Sequence, residues 1–410
     1  MPRTTKNRKW FDRLQNIMPF GSSTCSKKAL YPPDEPTVIV KGKGCRVWDA
    51  DGKEYIDFRN SLGPITLGYQ FPAVDKAIRK QLRSGIIFGH PHPLECEVAE
   101  MLCDVIPCAE QARFLKTGGE AAAACIRLAR HFTGREHVVQ IGYNGWINSL
   151  APGGRVLPGQ VATSAPPGVP AGLAAVHHAC GWNDIDGLRR LFAAHPGQIA
   201  AVVIASAYHS ATDGATFYPA VRELTRQEGA LLIFDEIVTG FRLAIGGVQE
   251  YFKVTPDLAV FAKGIANGMP LAAYVGRRDV MSKLSEVIVS STYGGETLSL
   301  AAAKAAITVY RTENVIAHLW RQGEKLCKGL DTLFAQHHVP VEMAGYPPCA
   351  TLQRRPDAPA DTMERLFRAA YHNGLSIYNN LYINYSHTDA DIDEALARWE
   401  RACRDLASRS

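Results

Sequence analysis

The chain has 410 residues, 46% of them hydrophobic, and a formal net charge of +5. That supports a large core and more than one domain. The basic excess gathers at Arg3, Lys6, Arg8, Lys9 and Arg13, then Lys27 and Lys28, with no aromatic–basic interleaving elsewhere, so a solvated tail is expected, with no nucleic-acid or membrane partner. The longest apolar run, Ile199 to Ala207, is far too short to span a bilayer, and the ten cysteines show no C-x-x-C spacing. A soluble, cytoplasmic protein with reduced, mostly buried thiols is the expectation.

Residues 1–36 are polar and irregular, with a short helix expected around Trp10 to Ile17. "VIVKGKGCRVWDADGKEYIDF" predicts a small hairpin system turning at Asp51-Gly52. Residues 95–107 carry a helical apolar period. A strand over Arg113 to Lys116 and an alanine-rich helix over Glu120 to Phe132 flank Thr117-Gly118-Gly119. Backbone N–H groups at such a helix N-terminus form an anion site, so Gly118 and Gly119 are candidate phosphate donors. An ordinary glycine-bearing turn is the competing reading.

"HVVQIGYNGW" predicts a strand ending near Tyr143. Residues 151–172, rich in Gly, Pro and Ala, predict a long loop. "GQIAAVVIASAYHS" predicts another strand, and residues 313–410 a second unit that opens with a long amphipathic helix. His90, His92, His177, His178 and His387 lack metal-ligand spacing and are expected as loop or cap histidines, with no metal site.

The most informative stretch is 231–263. A buried strand, Leu231 to Phe234, stops at Asp235-Glu236, and a second apolar run, Leu258 to Ala262, stops at Lys263. Continuous apolar runs fit parallel strands covered on both faces, whose carboxyl ends bind ligands. A desolvated lysine is a nucleophilic amine. Pyridoxal phosphate needs both groups: a lysine to hold it as a Schiff base and a carboxylate to keep its ring nitrogen protonated. A capping aspartate and a snorkelling lysine remain the alternative.

The string "GALLIFDEIVTGFRLAIGGVQEYFKVTPDLAVFAKGIANGMPLAAYVGRRDVM" resembles the class III pyridoxal-phosphate aminotransferases, closest to their glutamate-1-semialdehyde aminomutase-like branch. The resemblance runs from about residue 30 to 405 and implies an α/β fold: the fold type I transferase, with a large domain on a mostly parallel seven-stranded sheet. Its domains would be an N-terminal segment (1–50) packing on the small domain, a large cofactor domain (51–312) and a C-terminal small domain (313–410). It implies Lys263 as the Schiff-base lysine, Asp235 as the ring-nitrogen partner and Tyr143 as the stacking aromatic. Thr292 would reach the phosphate of a neighbouring subunit, which makes the enzyme a homodimer.

The chain departs from the family pattern at several points. Thr117-Gly118-Gly119 replaces Ser-Gly-Thr, and Asn144 follows Tyr143 where the family has histidine. Ala205 replaces a glutamate, and Glu296 stands where the family has asparagine. Glu296 is either an active-site carboxylate or an N-terminal helix charge. The aminomutases grip a substrate carboxylate with an arginine in a segment that here is Ser23-Thr24-Cys25-Ser26-Lys27. Lysine lacks the bidentate fork of arginine. Cys25, Lys27, Asn144 and Glu296 are therefore the candidate substrate residues. These variants look more like aminotransferases of aminoglycoside biosynthesis, of the gentamicin or neomycin type, acting on a 6′-amine of an amino sugar. An epimerase or aminomutase at the same carbon, with Cys25 as second acid, is the alternative, and a non-catalytic binding protein on the same fold is a minor one.

Overall fold

The computed structural model describes residues 5–147, 167–206 and 213–407. It divides into two compact units, Pro72–Ile316 and a second built from Met1–Phe71 with Ala317–Ser410. Residues 51–71, expected in the large domain, group with the chain ends. The reason is strand pairing: Glu54–Asp57 lies between Arg46–Asp49, antiparallel, and Leu375–Ser376, parallel. The expected Asp51-Gly52 turn joins the first two of these, with Gly52 at φ 88°.

The larger unit is built on a seven-stranded sheet. Its strands are β1 (Gln111–Leu115), β2 (His137–Ile141), β3 (His177–Cys180), β4 (Ile199–Ala205), β5 (Leu231–Asp235), β6 (Leu258–Phe261) and β7 (Ala272–Gly276). Their order is β1-β7-β6-β5-β4-β2-β3. Strands β2 to β6 are mutually parallel, and β7 runs antiparallel to both β6 and β1. Every residue of β4, β5, β6 and β7 is buried, as two covered faces require.

The alanine-rich helix α1 (Gly118–Thr133) covers one face. Ala121, Ala122, Cys125 and Ala129 let its backbone approach Val203, Ile233 and Val260 in a single apolar cluster. On the other face the helix Gly214–Gln227 contributes Tyr218, whose ring meets Phe234 edge-on at 5.0 Å. Buried Asp257 accepts from Leu232 N at 2.8 Å, while Asp257 N donates to Leu232 O at 2.8 Å. Arg222 and Arg277 neutralise that carboxylate at 2.6 Å each. This knot fixes how β5 and β6 are paired, and so fixes where their far ends stop.

In the smaller unit the long helix Val315–Gln336 and the terminal helix Asp389–Ala407 appear where the sequence places them. Thr388 Oγ1 donates to Asp391 at 2.6 Å at the start of the latter. All ten cysteines are unpaired, six of them buried. Among the described residues no helix is long and apolar enough to cross a membrane.

His92 caps the helix Pro93–Val105, as expected, and His387 is buried and accepts from Asn384 N at 3.0 Å. The expectation for His177 and His178 is corrected: both lie within strand β3. Most of the expected 151–172 loop lies outside the described residues.

Candidate active site

Four adjacent parallel strands, β6, β5, β4 and β2, bring their carboxyl ends to one edge of the sheet. Asp235 ends β5 and pairs in register with Ala205, the last residue of β4, and with Val260 of β6. Strand alternation puts Asp235 on the same face as Leu231 and Ile233, the face covered by α1. Burial pushes its carboxyl up to about 7, against the N–H of Ile237 and the Lys263 ammonium, which both favour the ionised form. Asp235 Oδ1 accepts from Ile237 N at 3.0 Å. Oδ2 has no acceptor role toward any described residue, so it remains available to a cationic N–H.

Lys263 follows β6 and opens a short turn, Lys263–Ala266, that Tyr310 Oη secures by donating to Gly264 O at 3.0 Å. Its backbone sits at φ 48°, in the left-handed region. The lysine is part-buried and close enough to Asp235 to lower that group's pKa.

Gly118 and Gly119 are the first residues of α1. Thr117 Oγ1 accepts from Glu120 N, and Glu120 accepts from Thr117 N at 2.7 Å, a closed capping box. The N–H groups of Gly118 and Gly119 donate to no described residue and are free for an anion. A Cβ on Gly118 would lie 2.3 Å from Ile237 Cδ1, and one on Gly119 would lie 3.1 Å from Ile147 Cδ1. Gly118 thus packs closely against the loop that follows β5, while Gly119 meets only the flexible tip of Ile147 in the loop that follows β2.

Tyr143 is 61% exposed just beyond β2. Asn144 is fully buried, donates weakly to Ile141 O and Gly142 O at 3.4 Å, and leaves Oδ1 without a partner among the described residues. Ser206, just beyond β4, is buried with its Oγ likewise unpartnered. Sequence reasoning did not select Ser206, because an unsatisfied hydroxyl is visible only in three dimensions.

Glu296 takes the second of its two expected roles. It caps the helix Thr297–Thr312, accepting from Leu298 N at 2.7 Å and Ser299 N at 3.2 Å, and it pairs with Lys116 Nζ at 3.0 Å. Thr292 is exposed in the turn that precedes this helix.

Cys25 and Lys27 lie in the other unit, on an exposed turn. Lys27 Nζ donates to Ser61 Oγ at 3.1 Å. Arg59 donates to Ser26 O at 2.6 Å, and its guanidinium is neutralised by buried Glu35 at 2.8 Å. An arginine therefore touches this segment from another part of the chain, but its charge is balanced internally.

The chain matches the family description "Aminotransferase class-III" over residues 30–402. It belongs to the class III aminotransferases. The glutamate-1-semialdehyde 2,1-aminomutase of Acetivibrio thermocellus is 33% identical over 417 residues, covering 96% of each chain. The namesake from Persephonella marina is 32% identical, covering 97% of this chain and 98% of the relative. Among solved structures, an omega-transaminase from Sphaerobacter thermophilus superposes with a TM-score of 0.87 at 26% identity, over 100% and 99% of the two chains. The FumI protein of Sphingopyxis sp. MTA144, in its PLP internal aldimine form, gives 0.89 at 25%, over 98% of each.

This class III aminotransferase is an enzyme with the fold type I architecture and uses pyridoxal phosphate. The strand-end geometry fits that cofactor. Asp235 offers an open carboxylate oxygen, α1 offers two unclaimed N–H groups, and Lys263 stands beside Asp235. When bound, the cofactor supplies an electron-withdrawing ring that acidifies a carbon bearing nitrogen.

Proposed function

We propose that this class III enzyme is an aminotransferase for an amine on a sugar, of the aminoglycoside type with a 6′-amine, working by ping-pong exchange with a keto acid. Lys263 holds the cofactor and, once displaced, carries the proton at the reacting carbon. Asp235 pairs with the ring nitrogen, Gly118 and Gly119 bind the phosphate, and Tyr143 stacks on the ring. Thr292 completes the phosphate site of a second copy, so the working unit is a homodimer. Unpaired, buried cysteines support a reducing, cytoplasmic setting.

The observation that carries the substrate class is the treatment of carboxylate-binding groups. Ala205 stands beside Asp235 at the strand ends. At the Cys25–Lys27 turn Lys27 is bonded to Ser61, and Arg59 to Glu35. Neither presents an unpaired guanidinium fork for an α-carboxylate. Glu296 gives this reading no support, since its charge is balanced by Lys116.

A second reading is an aminomutase or epimerase at the same carbon. The two aminomutase relatives favour it, and the exposed Cys25 thiol is the candidate second acid. Incubation with an aminoglycoside in deuterated water, with and without a keto acid, separates the two. Strict dependence on the keto acid supports transamination. Deuterium uptake with inversion or nitrogen migration, and no co-substrate, supports the second reading. Turnover of a simple amino acid with no spectral response to amino sugars overturns the sugar assignment.

A further inference from the structure

The sheet edge opposite the candidate active site gathers three histidines that are far apart in sequence. His137 opens β2, His178 lies in β3, and His195 ends the helix α2 (Ile185–Ala194). Their ligand-capable nitrogens all lie within 4.8 Å of one another. We propose that His137, His178 and His195 form a binding site for a divalent transition-metal ion of the zinc class.

The backbone holds all three in place. Strand pairing sets Val139 opposite His178, two residues from His137 and so on the same face of the sheet. His137 N donates to Gln198 O at 3.0 Å, and Gln198 N donates to His195 O at 3.1 Å. The three imidazoles are thus carried by a parallel strand pair and a tight turn, rather than by a mobile tail. Rings 178 and 195 lie 4.3 Å apart, and rings 137 and 195 lie 4.7 Å apart.

The donor chemistry suits zinc or its neighbours, which take neutral imidazole nitrogen. His137 Nδ1 and His178 Nε2 are 2.8 Å apart, a separation that needs one shared proton. A tetrahedral ion with bonds of about 2.0 Å takes the place of that proton, which moves by way of solvent to the far nitrogen of the same ring so that both imidazoles stay neutral, and sets the ligating nitrogens about 3.3 Å apart. His195 supplies the third nitrogen and water the fourth position. The nearby charges partly balance: Arg130 opposes a cation at His137, Glu136 favours it, and the C-terminus of α2 adds a favourable dipole.

The location defines the role. β3 is the edge strand and pairs only with β2. A metal here clips the edge strand and the end of α2 to the sheet, about 15 Å of strand away from Asp235. It is a structural site, independent of the proposed substrate.

The test is titration of the cofactor-loaded enzyme with Zn2+ against a competing chelator, and separately with Co2+. The wild type is expected to bind one ion per chain, with nitrogen and oxygen but no sulfur ligands by X-ray absorption. Its thermal midpoint should rise with Zn2+, while the cofactor's visible spectrum stays unchanged. H178Q and H195Q should each weaken binding by about tenfold or more and lose the thermal response, while keeping cofactor absorbance as proof of folding. Unchanged Zn2+ affinity in the double variant, sulfur ligation, or no binding of either ion up to about 100 µM overturns the assignment.

Discussion

Ile237 fills the space where Gly118 lacks a side chain: its Cδ1 would stand 2.3 Å from a Cβ there. The same residue donates its N–H to Asp235 at 3.0 Å. One isoleucine therefore couples the proposed phosphate end of the site to the proposed ring-nitrogen end. G118A should push Ile237 outward and disturb both contacts. Cofactor retention, followed by visible absorbance on dialysis, should fall by about tenfold, equivalent to about 1.4 kcal/mol. I237V in the same chain removes the closest atom and should restore part of the loss.

Lys263 is assigned as the covalent anchor. Borohydride reduction and peptide mapping should place the cofactor adduct on Lys263, and K263A should abolish turnover. An adduct on another lysine would refute the assignment.

Glu296 is a cap and a half-buried ion-pair partner, not a free carboxylate. E296A should lower stability by about 1–2 kcal/mol through loss of the cap. E296N keeps a capping oxygen and should recover most of that, as read by thermal denaturation. KM for the amine substrate should change by less than about threefold with E296N, since the charge it removes is already neutralised by Lys116.

The raised pKa of Asp235 has a signed consequence in the cofactor-free protein. A carboxyl at about 7 when folded, against about 4 when unfolded, binds more protons in the folded state. Its share of stability is present at low pH and is lost as pH rises from about 4 to 7, by up to about 4 kcal/mol. Buried histidines such as His177 act in the opposite direction below pH 6.5, so the test is a comparison. The stability of the cofactor-free wild type relative to cofactor-free D235N should fall between pH 5 and pH 8. Cofactor binding, by placing a cation at Asp235, should flatten that difference.

The proposed dimer rests on the role given to Thr292. It is exposed beside Tyr293 and Ile288, which are 59% and 84% exposed. Sedimentation at micromolar concentration should show a dimer with no stable monomer. A fully active monomer would remove the role given to Thr292.

The elements that carry the proposed cofactor residues were legible in the sequence, because they depend on local signals. A continuous apolar run ending on Asp235 or just before Lys263 is a parallel strand whatever surrounds it. Gly118 and Gly119 sit between a strand and an alanine-rich helix that identify each other. The remainder depends on pairings the sequence does not announce. Glu296 had two readings until Lys116, 180 positions away, was found beside it. His178 looked like an isolated loop histidine because its two companions come from two other elements. Asn144 and Ser206 differ from ordinary polar residues only in lacking partners once buried.

The left-handed backbone at Lys263 sets catalysis against foldedness. A side chain at φ 48° costs about 1–2 kcal/mol that glycine would not. K263G should therefore be inert and, with cofactor removed from both proteins, should melt no earlier than the wild type. Drift to glycine at this position relieves that strain and is punished in chemistry. A chain of this fold that had ceased to be an enzyme would have every reason to lose that lysine, and this one keeps it.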